Sequence, residues 1–453
     1  MRTFNICHLS LTKKPLLTIL ICLSFLTVGF AQTVPTDFSA QAALVTEFDV
    51  NGLKVLVKRR PNSPTVVAGL FIRGGVKNTD AKTDDIENFT LEASAEGSQK
   101  YPRETLRREL AATASSIEAA ASYDYSVLSL GATRRNFDRS WDVFTDIALH
   151  PAFAPEDVER VRQQILTGLQ NSSDDPESNL QELQNKIIYA NHPYLNDPEG
   201  TVETVTNFTP ADLRDYHQKV MQTSHLLLVI VGDLDANVLR QRIADTFGKL
   251  PRGNYQDKPA PILSFTTPTL DITSRTLPTN YVTGVFSSPS LKDPDYYAMR
   301  VATSILGGRI FQEVRVKRNL SYAPDANLGL LASNTGNISV SAVDANQAVS
   351  VMLNAIKQLK TEPVDEREIS GVTGLFLTNY YLGQETDAAQ AVELARYELT
   401  GSGWRDSFEF LTRVKQVTPA DVQHVAQKYM TNLRFVVLGN PASINRQIFL
   451  PKY

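Results

Sequence analysis

Between Ile86 and Pro102 the chain reads IENFTLEASAEGSQKYP, and here catalytic chemistry is either present or absent. Ile86, Phe89, Thr90 and Ala93 recur at helical spacing on one side, with Glu87, Glu92 and Glu96 elsewhere and Gly97 as a stop. This pattern predicts a buried helix with a glycine cap. Asn88 and Glu92 stand one turn apart and could at most hold a hard cation weakly, because zinc takes imidazole or thiolate ligands and the helix has neither. A hydrogen bond or ion pair is the expected role of Glu92.

Other chemistry is sparse. His8, His150, His192, His217, His225 and His424 form no pair at ligand spacing and read as surface or capping residues. Asp174, Asp175 and Glu177 make an acidic turn that lacks the alternating ligands and glycine of a calcium loop, so a solvated turn is expected. No Ser/His/Asp or Cys/His set is visible.

The elements that position these residues begin after a leader. Residues 1–31 carry Lys13 and Lys14, an apolar run from Leu16 to Phe30, and small residues before Gln32, the pattern of a secretory signal peptide. Both cysteines, Cys7 and Cys22, fall inside it, so no disulfide supports the exported chain. The whole chain has 45 basic and 49 acidic residues, and the leader removes only basic ones; nothing suggests nucleic acid. The remaining stretch of roughly 420 residues suits two domains better than one core.

Internal repetition supports two. FTPADLRDYHQKVMQTSHLLLVIVG from Phe208 and VTPADVQHVAQKYMTNLRFVVLG from Val417 are one helix-strand unit written twice, and SPTVVAGLFIRGG from Ser63 has a looser counterpart in LPTNYVTGVFSS from Leu277. Val45–Val50 and Leu53–Lys58 alternate around Asn51-Gly52, a type I′ hairpin signal. Amphipathic helices are expected at Arg103–Ala114, Pro155–Gln170 and Leu180–Ala190, with a strand at Tyr125–Ala132. The fold class is α+β: two tandem duplicated domains, each a mostly antiparallel sheet with helices packed on one face. The domains are read as 32–249 and 265–453, joined by a proline-rich, polar linker at 250–264.

On these residues the chain resembles the insulinase or pitrilysin superfamily of zinc peptidases, in the branch of the mitochondrial processing peptidases. Members carry H-x-x-E-H, then a glycine, a Lys-Tyr-Pro turn and a second helix. Lys100, Tyr101 and Pro102 supply the turn here, and Glu104 to Leu130 reads as the second helical segment. With Gly97 as anchor, the resemblance puts the first histidine at Asn88, the general base at Leu91 and the second histidine at Glu92. Counting back from Asp174-Asp175-Pro176-Glu177 puts the third ligand, a glutamate in the family, at Gly168. Water activation needs a Lewis acid and a proton acceptor together, and none of these positions keeps its group. The resemblance therefore implies a chain with no cofactor of its own, with zinc in a partner subunit.

The segment GGRIFQEVRVKRNLSY from Gly307 has Ile310, Phe311 and Val314 as an apolar stripe and Asn319 as a helix end, after a loop, Ile305–Arg309, shorter than in the family. The resemblance assigns Arg315 and Tyr322 to the active chamber, with Arg309 and Arg318 as neighbouring cations. A fixed guanidinium and a phenol donor can hold a peptide carbonyl. The implied function is the non-catalytic subunit of a heteromeric metallopeptidase, closing the chamber and helping bind unfolded peptides with Arg315 and Tyr322. Its partner would be an H-x-x-E-H-bearing subunit, in a heterodimer or heterotetramer, in the periplasm or held at a membrane through that partner. The alternative is an inert peptide-binding or assembly scaffold.

Overall fold

A computed structural model of the chain describes residues 38–450; the leader and both cysteines lie outside the described residues. The hairpin forms as its turn residues dictate: Asn51 and Gly52 have φ of 54° and 88°, the two left-handed residues of a type I′ turn. It joins β1 (Val45–Val50) to β2 (Leu53–Arg59). With β3 (Thr65–Arg73), β4 (Ser116–Ala121), β5 (Tyr125–Thr133) and β6 (Leu226–Gly232), these make a sheet of order β1-β2-β6-β3-β5-β4. A second sheet, of order β7-β11-β8-β10-β9, is built from β7 (Thr269–Ser274), β8 (Asn280–Ser287), β9 (Asp325–Leu328), β10 (Thr335–Ala342) and β11 (Arg434–Gly439).

The duplication is visible strand by strand. β2 runs parallel to β6 as β7 does to β11, and every other pairing in both sheets is antiparallel. The repeated sequence unit lands in the same place twice. Before β6 a helix opens on Thr209, whose hydroxyl donates to Asp212 at 2.7 Å; before β11 one opens on Thr418, which donates to Asp421 at 2.7 Å.

Helices of nine residues or more are α1 (Ile86–Ser94), α2 (Arg103–Thr113), α3 (Phe137–Leu149), α4 (Pro155–Asp174), α5 (Pro176–Ile188), α6 (Pro210–Val220), α7 (Ala236–Asp245), α8 (Tyr296–Ile310), α9 (Ala345–Thr361), α10 (Glu366–Gly383), α11 (Asp387–Thr400) and α12 (Pro419–Tyr429). Strand β6, LLLVIVG, is buried along its whole length because both faces of its sheet are covered. Leu226, Leu228 and Ile230 pack with α1, α3 and α6, while Leu227, Val229 and Val231 join the core of the second half.

The cover on that far face is α11, which lies against β3 and β6, and α5 in turn lies against β8 and β11. Each half therefore keeps its own helices on one face of its sheet and receives one helix from the other half on the opposite face. Polar locks accompany the exchange. Asp387, at the start of α11 and fully buried, accepts from Arg60 (2.9 Å), Ser63 (2.9 Å) and Thr65 (2.6 Å). Asp124, in the β4–β5 turn, accepts from the Tyr194 hydroxyl at 2.5 Å and the Ala332 amide at 2.8 Å.

Residues 250–264 form no regular element but are pinned. Thr223 and Ser224 donate backbone N–H groups to Pro251 and Arg252, and the Tyr255 ring stacks on His225 at 3.7 Å.

Several expectations are corrected. Glu104–Leu130 is not one helix: it breaks at Ala114, left-handed at φ 49°, and continues as β4 and β5, where Ala and Ile alternate between two environments. Gly97 is no left-handed cap. A Cβ there would come within 3.1 Å of the Arg103 nitrogen, so glycine admits the Lys100–Pro102 turn. Ile305–Arg309 is not a loop but lies inside α8, and Phe311 in the expected stripe is 45% exposed. His217 and His225 are buried rather than superficial, with Nε2 facing the carbonyls of Ala148 and Arg73, whereas His192, also buried, caps a turn as expected, its Nδ1 accepting from the Tyr194 N–H at 3.1 Å.

Candidate functional site

α1 packs against β4 and α4. Asn88 and Glu92, one turn apart, and Gly168 on α4 line one cavity of about 590 Å³ with Ala119–Ala121 of β4 and the Pro198-Glu199 loop. Leu91 is absent from the cavity wall; it is 1% exposed in the core beside Phe89 and Val161. Three of the four degenerate positions thus meet, and the fourth is apolar packing.

This set does not fit zinc. Asn88 offers an amide, Glu92 a single carboxylate, and Gly168 only a backbone hydrogen with no atom within 4 Å of where a Cβ would stand. The region is acidic instead. Burial raises the pKa of Glu92, and its charged neighbour is Glu96, so the expected hydrogen bond or ion pair is not formed. Glu96 is itself engaged by Arg103 (3.0 Å) and Arg160 (2.5 Å).

Carboxylates that were not singled out from sequence gather at the N-terminus of α1. Asp85 has a left-handed backbone, φ 69°, and is 3% exposed; the Asn88 amide approaches its carboxylate without closing a full hydrogen bond. Burial pushes Asp85 up to about 9 and Asp84 up to about 7, and raises Asp197 and Glu199 as well. Gly200, at φ 75°, lets the 197–200 loop close on Asp85: an added Cβ would stand 2.1 Å from that of Asp85. Asp84-Asp85 and Asp197-Pro-Glu199-Gly200 are visible as sequence, but acids in short loops read as solvated until the fold closes one loop on the other. Glu87, read from sequence as lying off the apolar side of the helix, is also buried, accepting from Ser126 and from Tyr216 at 2.6 Å.

The cavity opens into a larger one of about 890 Å³, sharing Ala121, Leu169, Pro198 and Glu199 with it. This chamber lies between the halves, with Gln184 and Tyr123 on one side and Asn327, Leu328 and Thr335–Asn337 on the other. Two sheet edges, β4 and β9, border it, and each pairs on one side only. A strand that pairs on one side only is a place where another extended chain can add.

Arg315 lies in a π turn, Phe311–Val316, that follows α8, with its guanidinium 4.3 Å from the centroid of the Tyr322 ring. It donates to Asn319 at 3.2 Å, and Asn319, at φ 51°, ends the turn. Tyr322 is 78% exposed, and neither residue lines the two cavities. Arg309 and Arg318 are held elsewhere, by Glu368 (2.8 Å) and Glu313 (2.5 Å). No described helix is long and apolar enough to cross a membrane.

The duplicated α+β fold gathers Asn88, Glu92 and Gly168 around one cavity, a set with no imidazole or thiolate, and among the described residues no group of three or more His, Cys, Asp or Glu is placed to hold a metal ion. The chain belongs to the insulinase family of peptidases: residues 54–201 match the profile described as Insulinase (Peptidase family M16), and residues 207–372 match Peptidase M16 inactive domain. It is similar to an uncharacterised zinc protease of Mycobacterium tuberculosis, with 22% identity over 425 residues, covering 91% of this chain and 97% of the other. It is also similar to the mitochondrial-processing peptidase subunit beta of Saccharomyces cerevisiae, 21% identical over 423 residues, covering 87% and 90%. Among solved structures, a peptidase M16 inactive domain from Pseudomonas fluorescens superposes with a TM-score of 0.77 at 18% identity, covering 87% of this chain and 98% of that one.

Proposed function

We propose that this protein is the non-catalytic subunit of a heteromeric zinc peptidase, exported to the periplasm, and that it holds extended, unfolded peptides in the chamber between its halves. The observation that carries this reading is the combination of three metal-ligand positions that hold neither imidazole nor thiolate and, beside them, a chamber bordered by the edge strand β4. An edge strand offers a peptide a ladder of backbone hydrogen bonds independent of any metal. The resemblance to a processing-peptidase beta subunit, a subunit by its name, supports assembly with a second chain. In this reading zinc belongs to that H-x-x-E-H-bearing companion. Half-buried Arg315 and exposed Tyr322, stacked beside the exposed apolar Phe311 and Val316, form a surface for substrate or companion.

The test is hydrolysis of a quenched fluorescent peptide by this chain, by the companion, and by the two mixed. Turnover that requires the mixture, is abolished by a chelator and falls with Arg315→Ala or Tyr322→Phe is the expected result. A companion equally active alone, or failure of the two to associate, rejects the reading and leaves the scaffold alternative.

A further inference from the structure

Helix α10 carries an apolar face that the fold leaves exposed. From Ser370 to Gln384 it has no charged residue, and its solvent side is formed by Gly371, Gly374, Leu375, Thr378, Tyr381 and Leu382, which recur at helical spacing. Leu375 is 52% exposed and Leu382 56%, and no atom lies within 4 Å of where a Cβ on Gly371 or Gly374 would stand. Ile369 and Phe376, on the other side, are in the core.

The duplication supplies an internal comparison. Ala154 and Asp175, which cap α4 and α5, are spaced as are Asp365 and Thr386, which cap α10 and α11, so α4 is the counterpart of α10. On that register the exposed face of α10 corresponds to Arg160, Gln163, Gln164, Thr167, Gln170 and Asn171, all polar. One position in the repeated fold is therefore a solvated face in the first half and an apolar face in the second. Covering it takes Leu375, Tyr381 and Leu382 out of water.

Shape and charge select what covers it. When two α10 helices cross antiparallel at Thr378, Leu382 of each copy, four residues past the crossing, meets Gly374 of the other, four residues before it, and Leu375 meets Tyr381. Each projecting side chain faces a gap, so the surface is its own complement. A parallel pair would set Asp365, Glu366 and Glu368 beside their own copies. The antiparallel pair sets that acidic first turn beside the other helix's C-terminal turn, with the helix dipoles opposed and Glu385 opposite Gly371.

We infer that α10 pairs two copies of this chain through an antiparallel contact centred on Thr378. The inference stands apart from the peptide-binding reading, because none of these residues lines either cavity. One helix face is smaller than the roughly 800 Å² per partner of a standard interface, so the pair dissociates on dilution, with a Kd on the order of 10 μM.

The experiment is sedimentation velocity on the chain from Gln32 to Tyr453 across a dilution series. The sedimentation coefficient is expected to rise from monomer to dimer with concentration. Leu382→Glu stays monomeric, and so does Gly374→Leu, which fills the gap while favouring the helix, so that an undiminished melting temperature separates lost pairing from lost folding. That stretch contains no cysteine, so Thr378→Cys reports the crossing point: under oxidation it gives a disulfide-linked dimer, whereas Ser370→Cys, away from the crossing, gives none. A monomer at every concentration with no cross-link overturns the inference, as does a dimer that both face variants leave intact. Co-sedimentation with phosphatidylethanolamine/phosphatidylglycerol vesicles, lost in Leu382→Glu, would assign the face to a membrane surface and overturn it likewise.

Discussion

The Thr65 hydroxyl donates to the Asp387 carboxylate at 2.6 Å, joining the first residue of β3 in one half to the opening turn of α11 from the other. The same carboxylate takes Arg60 and Ser63, and its side chain has no exposed surface. Truncating it strands three donors at once. Asp387→Ala is expected to lower stability by about 3 kcal/mol, within the usual cost of breaking a buried, hydrogen-bonded charge pair. Urea denaturation of wild type and variant reads this directly, and Asp387→Asn should recover part of the loss.

His225 links stability to acid. Burial, together with the neighbouring Arg73, lowers its pKa from 6.5 to about 4. Between those values the unfolded chain binds the extra proton, so this contribution is complete above about pH 6.5 and is lost as the pH falls toward 4. Its size is on the order of 3 kcal/mol. Replacing His225 with glutamine, which can still donate to the Arg73 carbonyl, should flatten the stability profile across that window. An unchanged slope would place the acid sensitivity in other groups.

Gly168 sits in the body of α4, exposed and with empty space beside it. A helix-interior glycine costs roughly 0.5–1 kcal/mol relative to alanine. Gly168→Ala should therefore raise the melting temperature, with no steric counter-effect. A gain of that size would show that glycine is kept for space, not for folding.

Restoring ligands should separate metal binding from hydrolysis. The triple variant Asn88→His, Glu92→His, Gly168→Glu places imidazole and carboxylate donors around one cavity and should take up zinc, measurable by elemental analysis after dialysis. It should not cleave peptides, because Leu91 provides no base. Adding Leu91→Glu puts a carboxylate into tightly packed apolar surroundings and should cost about 3 kcal/mol or more. Efficient cleavage by the triple variant would require a base elsewhere.

Much of the fold was legible because its signals are local. Asn51-Gly52, the two Thr-Pro-Ala-Asp openings and the alternation in Tyr125–Ala132 each specify a turn, a cap or a strand within a few residues. The segment after Ala114 was misread because alanine-rich sequence suits a helix, and only pairing with β5 makes it a strand. The cavity positions Asn88, Glu92 and Gly168 came from spacing against a family pattern. Burial of Glu87, of three histidines and of Asp84-Asp85 was not legible, since each depends on a distant loop or strand arriving to cover it. The stacking of Arg315 on Tyr322 likewise depends on a π turn, for which the sequence has no simple marker.

The exchange of α5 and α11 makes the two halves depend on each other. Neither half, taken alone, can cover both faces of its own sheet. An isolated half with this architecture would leave one face of its sheet uncovered unless a second copy lent its helix, as in a swapped dimer. In the present chain both halves are covalently joined, so the exchange is intramolecular and needs no second copy.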